Sequence, residues 1–173
     1  RVDVADRASV SSLAWVLDGE KLDVALYVAG VMERGHATTP PTREAFDQVM
    51  HTNLLGALQA IPQVAPLVQA AGGRFGFISS GMAHIARVPD SRGWLYRTSK
   101  AALNMAVAAA RHDYPGATLV ALSPGWVSTD MGGAQAPLTP ERSVSAMRAT
   151  LARLTPAQSG AFIDIDGQPF DGW

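Results

Sequence analysis

"VALYV", residues 24–28, is a run of five apolar residues without a charge or a break. It lacks the in-out alternation of a half-exposed strand and reads as a strand buried on both faces. Such strands belong to parallel sheets, whose crossover connections lay helices over each side. Working outward, the periodicity keeps switching between strand and helix. Upstream, Asp6 can cap a helix that puts Val10, Leu13, Ala14 and Leu17 on one face and ends near Gly19. Downstream, Thr42 caps a long helix from Arg43 to Ala70, in which Pro62 and Pro66 should produce a kink or a break.

The alternation continues to the end of the chain. "GGRFGFISS" gives a turn and a second strand, Arg74 to Ser79. "WLYRTSKAALNMAVAAARHDYPG" predicts an alanine-rich helix with Arg111 and His112 in its last turn, stopped by Pro115 and Gly116. Thr118 to Ser123 is a third apolar strand. Thr139-Pro140-Glu141 opens a helix with Val144, Met147, Leu151 and Leu154 on one face, and Ala161 to Ile165 is a last short strand before the Asp166-Gly167 turn. Right-handed crossovers between such strands predict an α/β, doubly wound parallel sheet, and nothing resembling a linker divides residues 1–173 into two domains.

Bulk properties narrow the function. The 173 residues carry a net charge of −1 with both signs mixed along the chain, which gives no electrostatic case for nucleic acid or an anionic membrane. The absence of cysteine removes disulfides, thiolate nucleophiles and thiolate metal sites together. The longest apolar run, from Ala101 to Ala110, is broken by Asn104 and is too short to span a bilayer. No signal-peptide pattern opens the chain, so a cytoplasmic location is the expectation. His36, His51, His84 and His112 stand at no ligand-like spacing, and no metal is expected.

The most reactive pair is in "YRTSK", residues 96–100, which holds one of only two lysines. Residues four apart share a helix face, so the Lys100 ammonium can lie beside the Tyr96 hydroxyl. A free phenol ionises near pH 10. A neighbouring cation stabilises the phenolate, lowering that value toward the range of a useful general acid and base. Lysine suits the task better than arginine, because its compact charge has rotatable donors that can also reach a sugar hydroxyl. The same spacing also fits an exposed pair on a solvated helix face.

The neighbouring motifs favour the catalytic reading. "YRTSKAALNM" resembles the Tyr-x-x-x-Lys helix of the short-chain dehydrogenase/reductase family, in the form found among its C-factor-like and sniffer-type carbonyl reductases. "FISSG" resembles the strand end carrying that family's catalytic serine, here Ser80, with Ser79 the competitor one residue earlier. "HTNLLG" resembles the segment with the active-site asparagine, here Asn53. "SPGWVSTDMGG" is similar to the loop that grips the nicotinamide, through Pro124, Gly125, the Val127 backbone and Thr129. The closing "LTPAQSGAFIDIDGQPFDGW" resembles the tail of the C-factor-like group.

The resemblance implies an NAD(P)-dependent oxidoreductase, with NADP slightly favoured, that interconverts a carbonyl and an alcohol. Tyr96 would exchange the proton and Ser80 would hold the substrate oxygen. Lys100 would tune Tyr96 and bind the nicotinamide ribose, and Asn53 would hold a water that links the lysine to solvent. The implied partner is a small, fairly apolar carbonyl or alcohol. Small-residue faces on the Tyr96 and Arg43 helices are candidate surfaces for a homo-oligomer.

Two departures stand out. The family's "NNAG" reads here "YVAG", Tyr27 to Gly30, which keeps Ala29 and Gly30 for close approach to the cofactor and makes Tyr27 a packing residue. The family's glycine-rich phosphate turn is not in the sequence, since "AGGRFG" precedes a strand instead of joining a strand to a helix. "RVDVAD" resembles the end of the family's third strand, with Asp3 and Val4 near the adenine. By this reading the domain is N-terminally incomplete, and the Val24 strand presents a bare apolar edge. That edge leaves open an alternative function: a non-catalytic, enzyme-derived module that binds a partner.

Overall fold

A computed structural model describes residues 2–172, so Arg1 and Trp173 lie outside the described residues. Its centre is a parallel sheet of four strands in the order β1 (Val24–Tyr27), β2 (Arg74–Ile78), β3 (Thr118–Leu122) and β4 (Phe162–Ile163). Val24 pairs with Arg74, Arg74 with Thr118, and Ala121 with Phe162. Each predicted strand is present, shorter at its end than the apolar run alone suggested.

Alternate residues of β3 enter different layers. Leu119 and Ala121 pack with Ala57, Ile61 and Val64 of helix α4 (Gly56–Ala70) and with Leu103 and Val107 of helix α5 (Trp94–Ala110). Val120 and Leu122 pack on the other face with Leu151 of helix α6 (Pro140–Arg153) and with Leu154 just beyond it. All five β3 residues are buried, and full burial of such an aliphatic side chain contributes about 2 kcal/mol. Strand β1 departs from the expectation of burial on both faces. Ala25 and Tyr27 face the α4 layer, while Val24 and Leu26, on the opposite face, are 50% and 45% exposed at the outer edge of the sheet.

The helix starts follow their caps. Thr42 Oγ1 accepts the Ala45 N–H (3.2 Å) ahead of α3 (Arg43–Met50), and Thr139 Oγ1 accepts the Arg142 N–H (3.3 Å) ahead of α6. Asp6 accepts the Ala8 N–H (2.9 Å), but the predicted single helix divides into two short pieces, α1 (Arg7–Ser11) and α2 (Leu13–Val16). The α6 face is also narrower than its periodicity implied. Leu151 is buried and Met147 packs beside it, while Val144 is 49% exposed. Helix α5 ends at Ala110, so Arg111 and His112 fall just past its last turn.

Two expectations are corrected. "RVDVAD" was expected to end a strand, yet its described residues form a turn: Asp3 Oδ1 accepts the Ala5 N–H (2.9 Å), which closes the backbone on itself. Pro62 and Pro66 do not interrupt α4, which runs continuously from Gly56 to Ala70. Both face solvent, where the carbonyls they leave unpaired can be hydrated. The irregularity lies earlier, at His51–Leu55, where the chain widens into a π-turn between α3 and α4.

Candidate active site

The π-turn places Asn53 in the interior, fully buried. Its Oδ1 accepts the Val31 N–H (2.8 Å), and its Nδ2 donates to the Val31 carbonyl and to Ser99 Oγ, each at 2.9 Å. Ser99 Oγ in turn donates to the Tyr96 carbonyl (2.8 Å). Asn53 therefore clips the loop after β1 to the first turns of α5. Both its amide hydrogens are committed to this clip.

Tyr27 supports the same irregular turn. Its hydroxyl donates to the Thr52 carbonyl (2.7 Å), and its ring stacks on Phe77. Gly56 makes room for this contact, because a Cβ there would stand 2.5 Å from the Tyr27 oxygen. Burial raises the Tyr27 phenol well above its ordinary value, so it stays neutral. Packing was the role expected of Tyr27, and the bond to the π-turn adds to it.

On α5, Tyr96, Lys100 and Asn104 follow one another at intervals of four along one buried face. Lys100 Nζ donates to the Ile78 carbonyl (2.8 Å) and lies 5.9 Å from the centre of the Tyr96 ring. It also lies beside Gly30, where a Cβ would come within 3.1 Å of Nζ and 3.6 Å of Asn53 Oδ1. Burial pushes the Lys100 pKa down to about 8. The Tyr96 phenol is raised by burial, with a hydrogen bond to Ser80 pulling the other way. Burial is the largest influence, so the phenol is raised where the Lys100 charge was expected to lower it, and Tyr96 is held protonated.

The two serines at the end of β2 have separate fates. Ser79 is buried and its hydroxyl donates to Asn104 Oδ1 (2.5 Å). Ser80 is half-buried, and its Oγ accepts the Met82 N–H (3.1 Å). Both line a cavity of about 430 Å³ together with Tyr96, Pro124, Gly125, Val127 and Thr129. Sequence reasoning missed Asn104, although a polar residue one further turn along the Tyr96–Lys100 face was a readable signal.

The 124–138 loop is held from several sides. The Pro124 carbonyl accepts the Ser143 hydroxyl (2.7 Å), tying the loop to α6. Gly125 takes a φ of 77°, and a Cβ there would meet Leu138 at 2.5 Å. Val127 bridges Leu138, yet the two bonds of that bridge use Ser128 N–H and Leu138 N–H and leave Val127 N–H out. Thr129 Oγ1 accepts the Gly132 N–H (3.1 Å), capping its own turn.

These residues fit one end of a dinucleotide. Gly30 and Gly125 allow close approach, Val127 offers a backbone donor, and Lys100 offers a cation beside Gly30. Asp3 and Val4 are elsewhere: Val4 lies against Gly56 and neither lines this cavity. Among the described residues, no group of three His or acidic side chains could hold a metal ion, and no helix is long and apolar enough to cross a membrane.

Comparison with known proteins gives the same direction. The short chain dehydrogenase family model matches residues 1–138. The C-signal protein of Myxococcus xanthus is 42% identical over 118 residues, covering 66% of this chain and 71% of that protein. An uncharacterized oxidoreductase of Saccharomyces cerevisiae is 38% identical over 135 residues, covering 67% of this chain and 52% of its own length. Among solved structures, the carbonyl reductase Sniffer of D. melanogaster superposes with a TM-score of 0.89 at 28% identity, covering 100% of this chain and 77% of that one. The NADPH-bound carbonyl reductase from chicken fatty liver gives 0.88 at 29% identity, with 99% and 75% covered.

Proposed function

Because the chain belongs to the short-chain dehydrogenase family, we propose that it interconverts a carbonyl and an alcohol with a nicotinamide cofactor, Tyr96 exchanging the proton. One observation carries this reading: Ser80 and Tyr96 line one wall of a cavity, with the Lys100 ammonium on the Tyr96 helix face next to Gly30. The nicotinamide, when bound, supplies or accepts the hydride. By likeness to the chicken enzyme, NADPH is the cofactor to test first.

The chain's own residues do the rest. Val127 N–H, Gly125, Pro124 and Thr129 would hold the nicotinamide end, and by the family resemblance Ala29 and Gly30 would approach the cofactor, while Lys100 would reach the adjoining ribose. Asp3 and Val4 are assigned to the adenine end only through the family resemblance. Ser80 donates a hydrogen bond to the substrate oxygen as negative charge develops there, an effect typically worth about 100-fold in rate. Tyr96 then gives its proton to that oxygen. A phenol kept protonated by burial suits this direction, and the reverse reaction needs the phenolate and is favoured at higher pH. Asn53 contributes by fixing the first turns of α5, through Ser99, so that Tyr96 stays aimed at the cavity. A proton resupply path through an Asn53-bound water would have to use its Oδ1 or its backbone.

A second reading has one observation in its favour. The exposed apolar residues on the outer edge of β1 suit pairing with another polypeptide segment, as a non-catalytic module would require. The test is to mix the intact natural polypeptide with NADPH and a panel of aldehydes and ketones. Carbonyl-dependent loss of absorbance at about 340 nm supports the oxidoreductase. Absence of turnover together with absence of calorimetric binding of either NADPH or NADH would leave the binding module.

A further inference from the structure

The cavity beside Tyr96 has a charge pattern that a simple apolar carbonyl does not need. Its wall carries three arginines, Arg34, Arg92 and Arg97, together with Met32, Met82 and Trp126, and no acidic side chain among the described residues. Two of the three are largely spoken for. Arg92 and Arg97 share Asp90 as a partner, at 3.0 and 3.4 Å. Arg97 also donates to the Arg92 and Met82 carbonyls.

Arg34 is placed differently. It comes from the loop after β1 and reaches across to donate one hydrogen bond to the Met131 carbonyl (2.9 Å) in the 124–138 loop. No carboxylate pairs with it among the described residues. The neighbouring Glu33 turns its carboxylate back onto the Gly35 N–H (2.6 Å), and Asp130 is absent from the cavity wall. A guanidinium has five N–H donors in a planar fork. At Arg34, one donor closes the rim and the rest of the fork is left for an oxyanion.

Resting on the oxidoreductase reading, we propose that the substrate is a carbonyl compound bearing an anionic group, a carboxylate or a phosphate, which Arg34 receives at the cavity rim. The methionines and Trp126 would flank an apolar spacer between that anion and the carbonyl at Ser80 and Tyr96. A charge-assisted hydrogen bond of this kind changes affinity by about tenfold or more.

The test compares three aldehydes on the intact natural polypeptide with NADPH: 4-formylbenzoate, 4-formylphenyl phosphate and the neutral methyl 4-formylbenzoate. Binding is read separately, without turnover, from the Trp126 indole N–H signal by NMR, assigned with Trp126→Phe. The expected result is an advantage of about tenfold or more in kcat/KM and in binding for at least one anion over the ester, with the better anion naming the group. Arg34→Gln should remove that advantage, Arg34→Lys should restore part of it, and added salt should shrink it. An ester bound and reduced as well as both anions, or an advantage untouched by Arg34→Gln, overturns the proposal. Anion-selective shifts of Trp126 that depend on Arg34, without reduction of any aldehyde, uphold the anion site and count against the oxidoreductase reading alone. Absence of a Trp126 shift with all three overturns it.

Discussion

Tyr27 and Tyr96 invite comparison because both are 6% exposed, and burial raises both phenols. Their hydroxyls end in different company. Tyr27 meets a backbone carbonyl, Thr52, in a spot closed by Gly56. Tyr96 lines a cavity wall together with Ser80, with an ammonium on the same helix face. Burial alone therefore does not mark a phenol as reactive. What separates the two is whether the proton has somewhere to go: Tyr27 spends its proton on structure, and Tyr96 keeps its proton where a substrate oxygen can reach it.

That contrast extends to the serines, and the largest effect is expected there. Ser80→Ala should lower kcat/KM about 100-fold or more, because it removes the hydroxyl that faces both Tyr96 and the cavity. Ser79→Ala should chiefly lower the unfolding midpoint by stranding Asn104 Oδ1. Steady-state rates and thermal melts on both variants separate the two roles, and a reversed pattern would move the catalytic assignment to Ser79.

A smaller effect follows from Lys100. Its folded pKa, about 8, lies below the ordinary lysine value of 10.5. Between those values the unfolded chain binds the proton and the folded one releases it, so unfolding free energy rises with pH. Relative to Lys100→Met, the natural protein should gain on the order of 2 kcal/mol between pH 8 and pH 10, measured by urea unfolding. A flat difference would mean that burial does not depress Lys100.

The smallest effect concerns Tyr27. Tyr27→Phe should cost about 1 kcal/mol by leaving the Thr52 carbonyl without its donor, with kcat/KM changed less than about threefold. A collapse of turnover at unchanged stability would show that the two phenols are less distinct than their surroundings suggest.

The sheet was legible because β2 and β3 are apolar on both faces and sit between recognisable caps at Thr42 and Thr139. The four-residue spacing of Tyr96 and Lys100 made their shared helix face legible, while Ser80 came from the family resemblance with Ser79 left open beside it. The π-turn at His51–Leu55 was not, because it rests on bonds from Tyr27 and Asn53 to partners more than twenty residues away. Val144 shows the limit of periodicity, which names a face without saying how far its neighbours extend. The sign of the Tyr96 shift was also out of reach, since a short helical spacing gives the lysine's charge but not the depth at which both groups are buried. Arg34 and Met131, from distant loops, meet only in space.

The most direct test is Tyr96→Phe in the intact natural polypeptide, comparing carbonyl-dependent NADPH oxidation with NADPH affinity by calorimetry. Proton donation by Tyr96 predicts turnover reduced by about 100-fold or more with the affinity for NADPH retained. Turnover close to that of the natural protein would contradict it.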